Sequence, residues 1–420
     1  MFHTSSPTDR PENRGGTFRS LRNYNFRVWF LGGLVSNVGT WMQRIAQDWL
    51  VLAVLTRHSA SAMGVVVALQ FAPQLLFLPW TGYAADRVDL RKLLIATQAA
   101  LGLLALGLGL VTVLGLVRLW QVDGFAFLLG CVTAFDAPAR QVFVNELVGE
   151  SQLANAVALN SISFNAARMI GPAVAGLLIA VVGSGGVFLI NAASFAAVLG
   201  SLVLLRVDRL HREERASHKA GGFAEGFRYV WQRADLMTVL VMLFLIGAFG
   251  LNFAIYISTM ALTAFHGNAS LYGLLTSAFA IGSVSGALFS AHRERPSMKL
   301  LGASAAIFGL GCALAALAPD TVLFAAALVL TGFSALVFIT TTNSFMQLTS
   351  APAMRGRVMA LRIAVAMGGT PLGALVVGWV ADHAGPRWGM GVGAASGAAA
   401  CLVAARYLLN LKHAPVGAKT

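Results

Sequence analysis

Charge is what this chain of 420 residues has least of: 11% of its residues are Asp, Glu, Lys or Arg. A soluble domain carries about a quarter. With 57% of residues hydrophobic, a water-soluble core of this length has nowhere to hide its apolar surface, and the composition points to a bilayer as the solvent. Negative charge is scarcer still, 17 Asp and Glu against 30 Lys and Arg, for a formal net charge of +13. A basic balance can point to nucleic acid. Here the cations sit in short segments between apolar runs, without aromatic interleaving, so nucleic acid is not an expected partner. Cysteine is nearly absent. Cys131, Cys312 and Cys401 lie inside apolar runs, which argues against a disulfide framework and leaves them as small apolar side chains. His58, His266 and His383 stand near loop ends and complete no metal-ligand spacing. The sequence has no phosphate-binding Walker loop and no nucleophile elbow. ATP hydrolysis, metal chemistry, a cofactor and enzyme catalysis are therefore not expected.

Long apolar runs fill the sequence instead. A spanning helix needs about 20 mostly apolar residues. By that measure the first half holds six runs, 26–55, 61–84, 93–117, 120–143, 154–182 and 186–205. A charged break follows, and the second half holds six more, 236–264, 270–290, 300–317, 321–348, 358–381 and 388–409. The first run is too long for a signal-peptide core and contains Arg44 and Asp48, so it reads as a retained helix. The expected organisation is a tail 1–25, a six-helix bundle 26–205, a linker 206–235, a second bundle 236–409 and a tail 410–420. In the linker, Phe223, Phe227, Val230 and Trp231 recur at helical spacing with Glu225, Arg228 and Arg233 between them. That pattern fits an amphipathic helix on the membrane surface, with a solvated stub as the alternative.

Lys and Arg orient the runs. With the N-terminus in the cytoplasm, the inside collects Arg10, Arg14, Arg19, Arg22, Arg27, Arg87, Arg91, Lys92, the linker, Arg293, Arg295, Lys299, Arg355, Arg357 and the C-terminal tail. The outside keeps Arg57, Arg118 and Arg387. Both termini and the linker are expected at the cytoplasmic face of a bacterial inner membrane.

The loop after the second run reads Gly82-Tyr83-Ala84-Ala85-Asp86-Arg87-Val88-Asp89-Leu90-Arg91-Lys92. A glycine, an Asp-Arg pair four residues on and then a basic pair resemble the inside-loop signature of the major facilitator superfamily. Gly82 lets two helices approach closely. Asp86 suits the positive N-terminal end of a neighbouring helix, and Arg87, Arg91 and Lys92 hold the loop inside. Asp89 stands where the common pattern has a second glycine. The fifth run carries Gly171-Pro172-Ala173-Val174-Ala175-Gly176, similar to the fifth-helix Gly-Pro motif of exporters in that superfamily, with Ala167 replacing an upstream glycine. A proline inside a helix permits a kink, and small residues beside it permit close packing. The stretches 39–49 and 136–148, with Asn343, Gln347, Arg355 and Arg357, resemble the branch that includes the bacterial enterobactin exporter. The resemblance covers nearly the whole chain. It implies an all-α membrane protein of the major facilitator fold, with 12 transmembrane helices in two six-helix bundles around a cavity. It also implies proton-driven export. A monomer is expected.

Charges inside the runs are expensive and mark function by default. Arg44 and Asp48 lie four apart and share a helix face, extended by Asn37, Thr40 and Trp41. Asp48 is expected to be the proton-responsive carboxylate with Arg44 as its partner, or the two form a static ion pair that fixes helix packing. Asp136 and Arg140 are also four apart and are expected to join Gly82, Asp86, Arg87 and Arg91 in an inner gate. Arg168 is expected either to meet an anionic substrate or to pair with Asp136 or Glu146. Asn252, Tyr256, Asn343 and Gln347 are the cavity polar groups expected from the second half, facing Asn37, Trp41 and Arg168 from the first. The reading is a secondary transporter that exports a siderophore, drug or metabolite by proton antiport. The alternatives are a lipid or lysophospholipid flippase on the same fold and a non-transporting membrane sensor.

Overall fold

The computed structural model describes residues 18–77, 80–81, 87–211, 223–293 and 296–413. Gly82 and Asp86 of the inside-loop motif lie outside the described residues, as do most of the N-terminal tail, the middle of the linker and Arg295. The first six spans are α1 (Tyr24–Trp49), α2 (Ala60–Leu76), α3 (Leu90–Val113), α4 (Leu119–Val148), and α5 and α6, which together make Glu150–Val203. A short helix, α7 (Phe223–Trp231), precedes α8 (Ala234–Ala264), α9 (Ala269–Ala291), α10 (Met298–Leu317), α11 (Thr321–Thr349), α12 (Arg355–Ala384) and α13 (Pro386–His413). Among the described residues, nine helical segments are long and apolar enough to cross a bilayer. One of these, Glu150–Val203, crosses twice. It turns at Gly183, whose φ of 70° with ψ of 172° is a conformation essentially reserved for glycine. With α1 and the shorter α2, the helices form two six-helix bundles.

Among the described residues, six helices start on a side chain that accepts a hydrogen bond from the first turn: Asn23, Ser59, Asp89, Asn268, Ser297 and Asp320. Each cap satisfies an N–H that a helix start leaves without an intrahelical partner. Asp89 takes the backbone N–H of Lys92 at 3.1 Å. That gives a physical reason for an aspartate where the inside-loop pattern has glycine.

Twelve spans bring the first and last described residues to one end of the molecule, the near end. Asn25 of α1 exchanges hydrogen bonds with the backbone of Arg206, which follows α6. The halves also repeat in detail. Both α1 and α8 loosen into a π turn close to the far end, Leu50–Leu55 and Met260–Ala264. Each π turn is followed by a residue at positive φ, His58 in one half and His266 in the other. The next helix then opens Ser59-Ala60-Ser61-Ala62-Met63-Gly64 in one half and Asn268-Ala269-Ser270-Leu271-Tyr272-Gly273 in the other.

That repeated opening builds the two seams between the bundles. On the α2–α12 seam, a Cβ on Gly64 falls 2.5 Å from the Ala374 carbonyl oxygen, and one on Gly378 falls 2.5 Å from that of Ala60. On the α5–α9 seam, a Cβ on Gly176 falls 2.6 Å from the Ala269 oxygen, and one on Gly273 falls closer still to that of Pro172. Only glycine allows such backbone approach, the usual device for packing helices where lipid supplies no hydrophobic drive. The backbone keeps helical dihedrals through Gly171, Pro172 and Gly176 and leaves them at Gly183. The small residues of this segment also form a packing surface, Gly176 and the Pro172 carbonyl against α9 and Gly171 against Trp41.

Helix α7 lies on the near end of the second bundle. Glu225 pairs with Arg357 at 3.0 Å, and the Tyr229 hydroxyl accepts the Ala351 N–H at 3.1 Å. Val230 is buried, whereas Phe227 and Trp231 are exposed with ring centres 5.7 Å apart, an aromatic edge suited to a membrane interface.

Candidate substrate cavity

A cavity of about 320 Å³ lies between the bundles. Trp41, Arg44 and Asp48 reach it from α1, Gln70 from α2 and Arg168 from α5. The second bundle contributes Leu251, Asn252 and Phe253 from α8, Tyr272, Thr276 and Phe279 from α9, and Ala335 and Ile339 from α11. At this level α8 is interrupted: a π turn, Ile246–Gly250, is followed by the non-helical Leu251 and Asn252. Irregular backbone at membrane depth is tolerated where it lines a cavity. The Asn252 amide donates to Ala248 O at 2.6 Å and so replaces part of the lost helical bonding.

Asp48 has a hydrogen-bond partner that spacing along its own helix does not suggest. Asp48 Oδ2 accepts from the Tyr272 hydroxyl at 2.6 Å, a bond that joins α1 of one bundle to α9 of the other. Arg44 is not within ion-pair distance of Asp48. Its guanidinium carbon stands 5.1 Å from the centre of the Trp41 ring. Arg168 lies 5.7 Å from the same ring and 5.5 Å from that of Phe279. One indole therefore faces two guanidinium groups, at distances where its π face attracts cations.

Asp136 is unavailable to Arg168. It accepts from Thr97 Oγ1 at 2.7 Å, Gln98 Nε2 at 2.6 Å and Arg140 Nε at 2.7 Å. This is a buried carboxylate satisfied from α3 and α4, inside its own bundle. It holds Arg140, which with Asn37, Gln141, Asn160 and Asn165 lines a second cavity of about 560 Å³ on the near side of the first. The described walls of that cavity come from α1, α4 and α5 alone. Removing one partner of a buried pair costs about 3–5 kcal/mol. Asp136→Ala is accordingly expected to lower the thermal midpoint of the purified protein markedly, and an unchanged melting curve in detergent would contradict a stabilising role for the carboxylate.

Other expected site residues are placed differently by the structure. Asn37 lines the second cavity, not the first. Tyr256 is fully buried and its hydroxyl donates to Phe249 O, so it braces the α8 break and does not reach the cavity. Asn343 and Gln347 lie farther toward the near end of α11, outside the wall of the central cavity. Arg91 donates to the carbonyls of Leu202 and Val203 and closes the end of α6. Arg87 is exposed. Sequence reasoning passed over Tyr272, Asp382 and Arg362. Arg362 is a lone cation inside an apolar run, a signal that was available. It donates to Ile339 O at 3.3 Å. Asp382 accepts from Ser59 Oγ at 3.0 Å and from the N–H groups of Ala60 and Ser61 at 2.5 and 2.9 Å. It thereby caps α2 from the opposite bundle.

The family model for transmembrane secretion effectors matches residues 15–417. The chain is 25% identical to the Staphyloferrin A transporter of Staphylococcus aureus over 361 residues, 85% of this chain and 89% of that one. It is 28% identical to the enterobactin exporter EntS of Shigella flexneri over 370 residues, 84% of each chain. Among solved structures, a point mutant of the nucleoside transporter NupG superposes with a TM-score of 0.71 at 14% identity, covering 91% of this chain and 99% of that one. The chain belongs to the transmembrane secretion effector family of the major facilitator superfamily, and is a multi-pass membrane transporter of small molecules rather than an enzyme.

Proposed function

We propose that this protein exports a small organic molecule from the cytoplasm across a bacterial inner membrane, as a monomer, by alternating access driven by inward proton movement. The observation that carries the reading is the cavity between the bundles, closed toward the far end by the two glycine seams and flanked on the near side by a second cavity. The bundles 26–205 and 236–409 rock so that those seams part on the outward stroke, with both termini and the linker at the cytoplasmic face. The name of the enterobactin exporter EntS supports the outward direction.

Asp48 is the proton carrier in this scheme. The titratable and charged groups facing it are Tyr272 from α9, Arg44 from its own helix and Arg168 from α5. Opening the far end parts Asp48 from Tyr272 and presents the carboxylate to the outside, where it takes a proton. Return of the empty, protonated carrier remakes the contact and releases the proton inward. The inner gate assigned to Gly82, Asp86, Arg87 and Arg91 then closes the near end on the outward stroke.

The test is a deletion strain screened for retained metabolites and for drug sensitivity, complemented with the wild-type chain or with Asp48→Asn. Wild type is expected to restore export, and Asp48→Asn to lose about 5–150-fold of it, the range of a coupling free energy. No change on either screen would remove the export reading. Export by Asp48→Asn with unchanged proton dependence would remove coupling from Asp48.

A further inference from the structure

We propose that the central cavity takes an organic oxyanion on an apolar body, its charged group held between Arg44 and Arg168. This deepens the transport reading of the same cavity and rests on it.

The two arginines lack polar partners. Among the described residues neither makes an ion pair or a hydrogen bond, and their named contacts are with the rings of Trp41 and Phe279. Two guanidinium groups held together at membrane depth are costly unless a counter-charge meets them. Two of the carboxylates that sequence spacing offers them have hydrogen-bond partners elsewhere. Asp48 is held by Tyr272, and Asp136 by Thr97, Gln98 and Arg140. Among the described residues, the cavity wall holds Asp48 as its one acidic residue beside the two cations, so a net positive charge remains even with Asp48 ionised. Both arginines are partly exposed, and that exposure is to the cavity they line. Cation–π contact spends none of the N–H donors, which leaves the planar fork of each arginine open to a carboxylate or phosphate.

The other wall fixes the rest of the ligand. Leu251, Phe253, Ile255 and Ile257 from α8 and Ala335 from α11 give an apolar surface facing the arginines. Asn252, Tyr272, Thr276 and Thr370 are its polar interruptions. An occupant with its charge at one end and an apolar or aromatic body satisfies both walls. A lipophilic cation satisfies the apolar wall and is repelled by the other. The same chemistry comes from two sources, a water-soluble carboxylate or the phosphate of an anionic lysolipid, and the two are separable by competition.

The test uses the full-length purified protein in lipid nanodiscs and two dyes on the same three-ring xanthene body. Carboxyfluorescein is a polyanion and rhodamine 123 a cation, and binding is read by fluorescence anisotropy. Carboxyfluorescein is expected to bind about tenfold or more tightly than rhodamine 123, the scale of one lost charge-assisted hydrogen bond. The double variant Arg44→Gln, Arg168→Gln is expected to reverse that order. Arg44→Lys with Arg168→Lys restores part of the anion affinity, which separates loss of charge from loss of fold. Displacement by phthalate assigns the site to soluble carboxylates, and displacement by lysophosphatidylglycerol alone assigns it to a lipid headgroup. Equal binding of the two dyes, anion binding unaffected by the glutamines, or no carboxyfluorescein binding would each overturn the proposal. A parallel measurement keeps it apart from the export reading. Proton-driven accumulation of rhodamine 123 in proteoliposomes, without anion binding, sinks the oxyanion and leaves the exporter. Arginine-dependent anion binding with no change on either screen of the deletion strain leaves the site and sinks the exporter.

Discussion

Replacing Gly273 with leucine is expected to abolish transport in a protein that still folds. The α9 backbone at Gly273 lies directly against the Pro172 carbonyl, and a Cβ there has no space. Within a bundle, overpacking costs about 1–3 kcal/mol because side chains shift to absorb it. Here the obstacle is backbone, and the least costly relief is to part the bundles. A bias of about 3 kcal/mol against the closed far end corresponds to about 100-fold in population. The measurement pairs transport rate with labelling. A cysteine at Thr276, in the cavity wall, is treated with an impermeant maleimide from the far side, after replacement of Cys131, Cys312 and Cys401. Faster labelling with lost transport supports the seam, and wild-type behaviour on both counts rules it out. Gly200→Ala serves as control, since a Cβ there meets nothing within 4 Å.

The second large effect is expected from Asp382→Ala. Asp382 completes the first turn of α2 from across the seam, through two backbone N–H groups and the Ser59 hydroxyl. It also places a carboxylate at the positive end of that helix. Loss of a capping side chain costs about 1–2 kcal/mol, and this one holds only while the far end is closed. The free-energy loss therefore falls on the closed state alone, a shift of about 5–30-fold toward the open one. Spin labels at Leu116 and Leu317, exposed positions at the far ends of the two bundles, are expected to show a longer-distance population in the variant. An unaltered distance distribution would show that the cap contributes nothing across the seam. Asp382→Asn keeps acceptors without the charge and is expected to fall between the two.

Much of the architecture was legible because the bilayer imposes one rule, about twenty apolar residues for each crossing. The six-plus-six division and the short helix within the linker follow from where that rule is interrupted. The residues that line the cavity on α1 and α5 were legible for the opposite reason, since Arg44, Asp48 and Arg168 break it. The partners of those charges were not legible. Spacing along one helix pairs Arg44 with Asp48, but the carboxylate finds Tyr272 from a helix more than two hundred residues away in sequence. Tyr256 and Tyr272 look alike in sequence, and only packing turns one onto its own helix and the other into the cavity. The close packing of the Gly-Pro segment against α9 was not legible either, since it belongs to a pair of helices and not to either alone. Asp382 was invisible for the same reason. A carboxylate at a helix end is ordinary until the neighbouring helix start is seen beside it.

Trp41 has a consequence for how this protein can be watched. It is one of eight tryptophans in the chain, yet it is the one whose ring faces both guanidinium groups of the cavity. Indole emission responds to nearby charge, and any occupant that draws Arg44 or Arg168 off the ring changes the field the indole experiences. With the other tryptophans replaced by phenylalanine, the loading of the cavity becomes an optical signal carried by the protein itself.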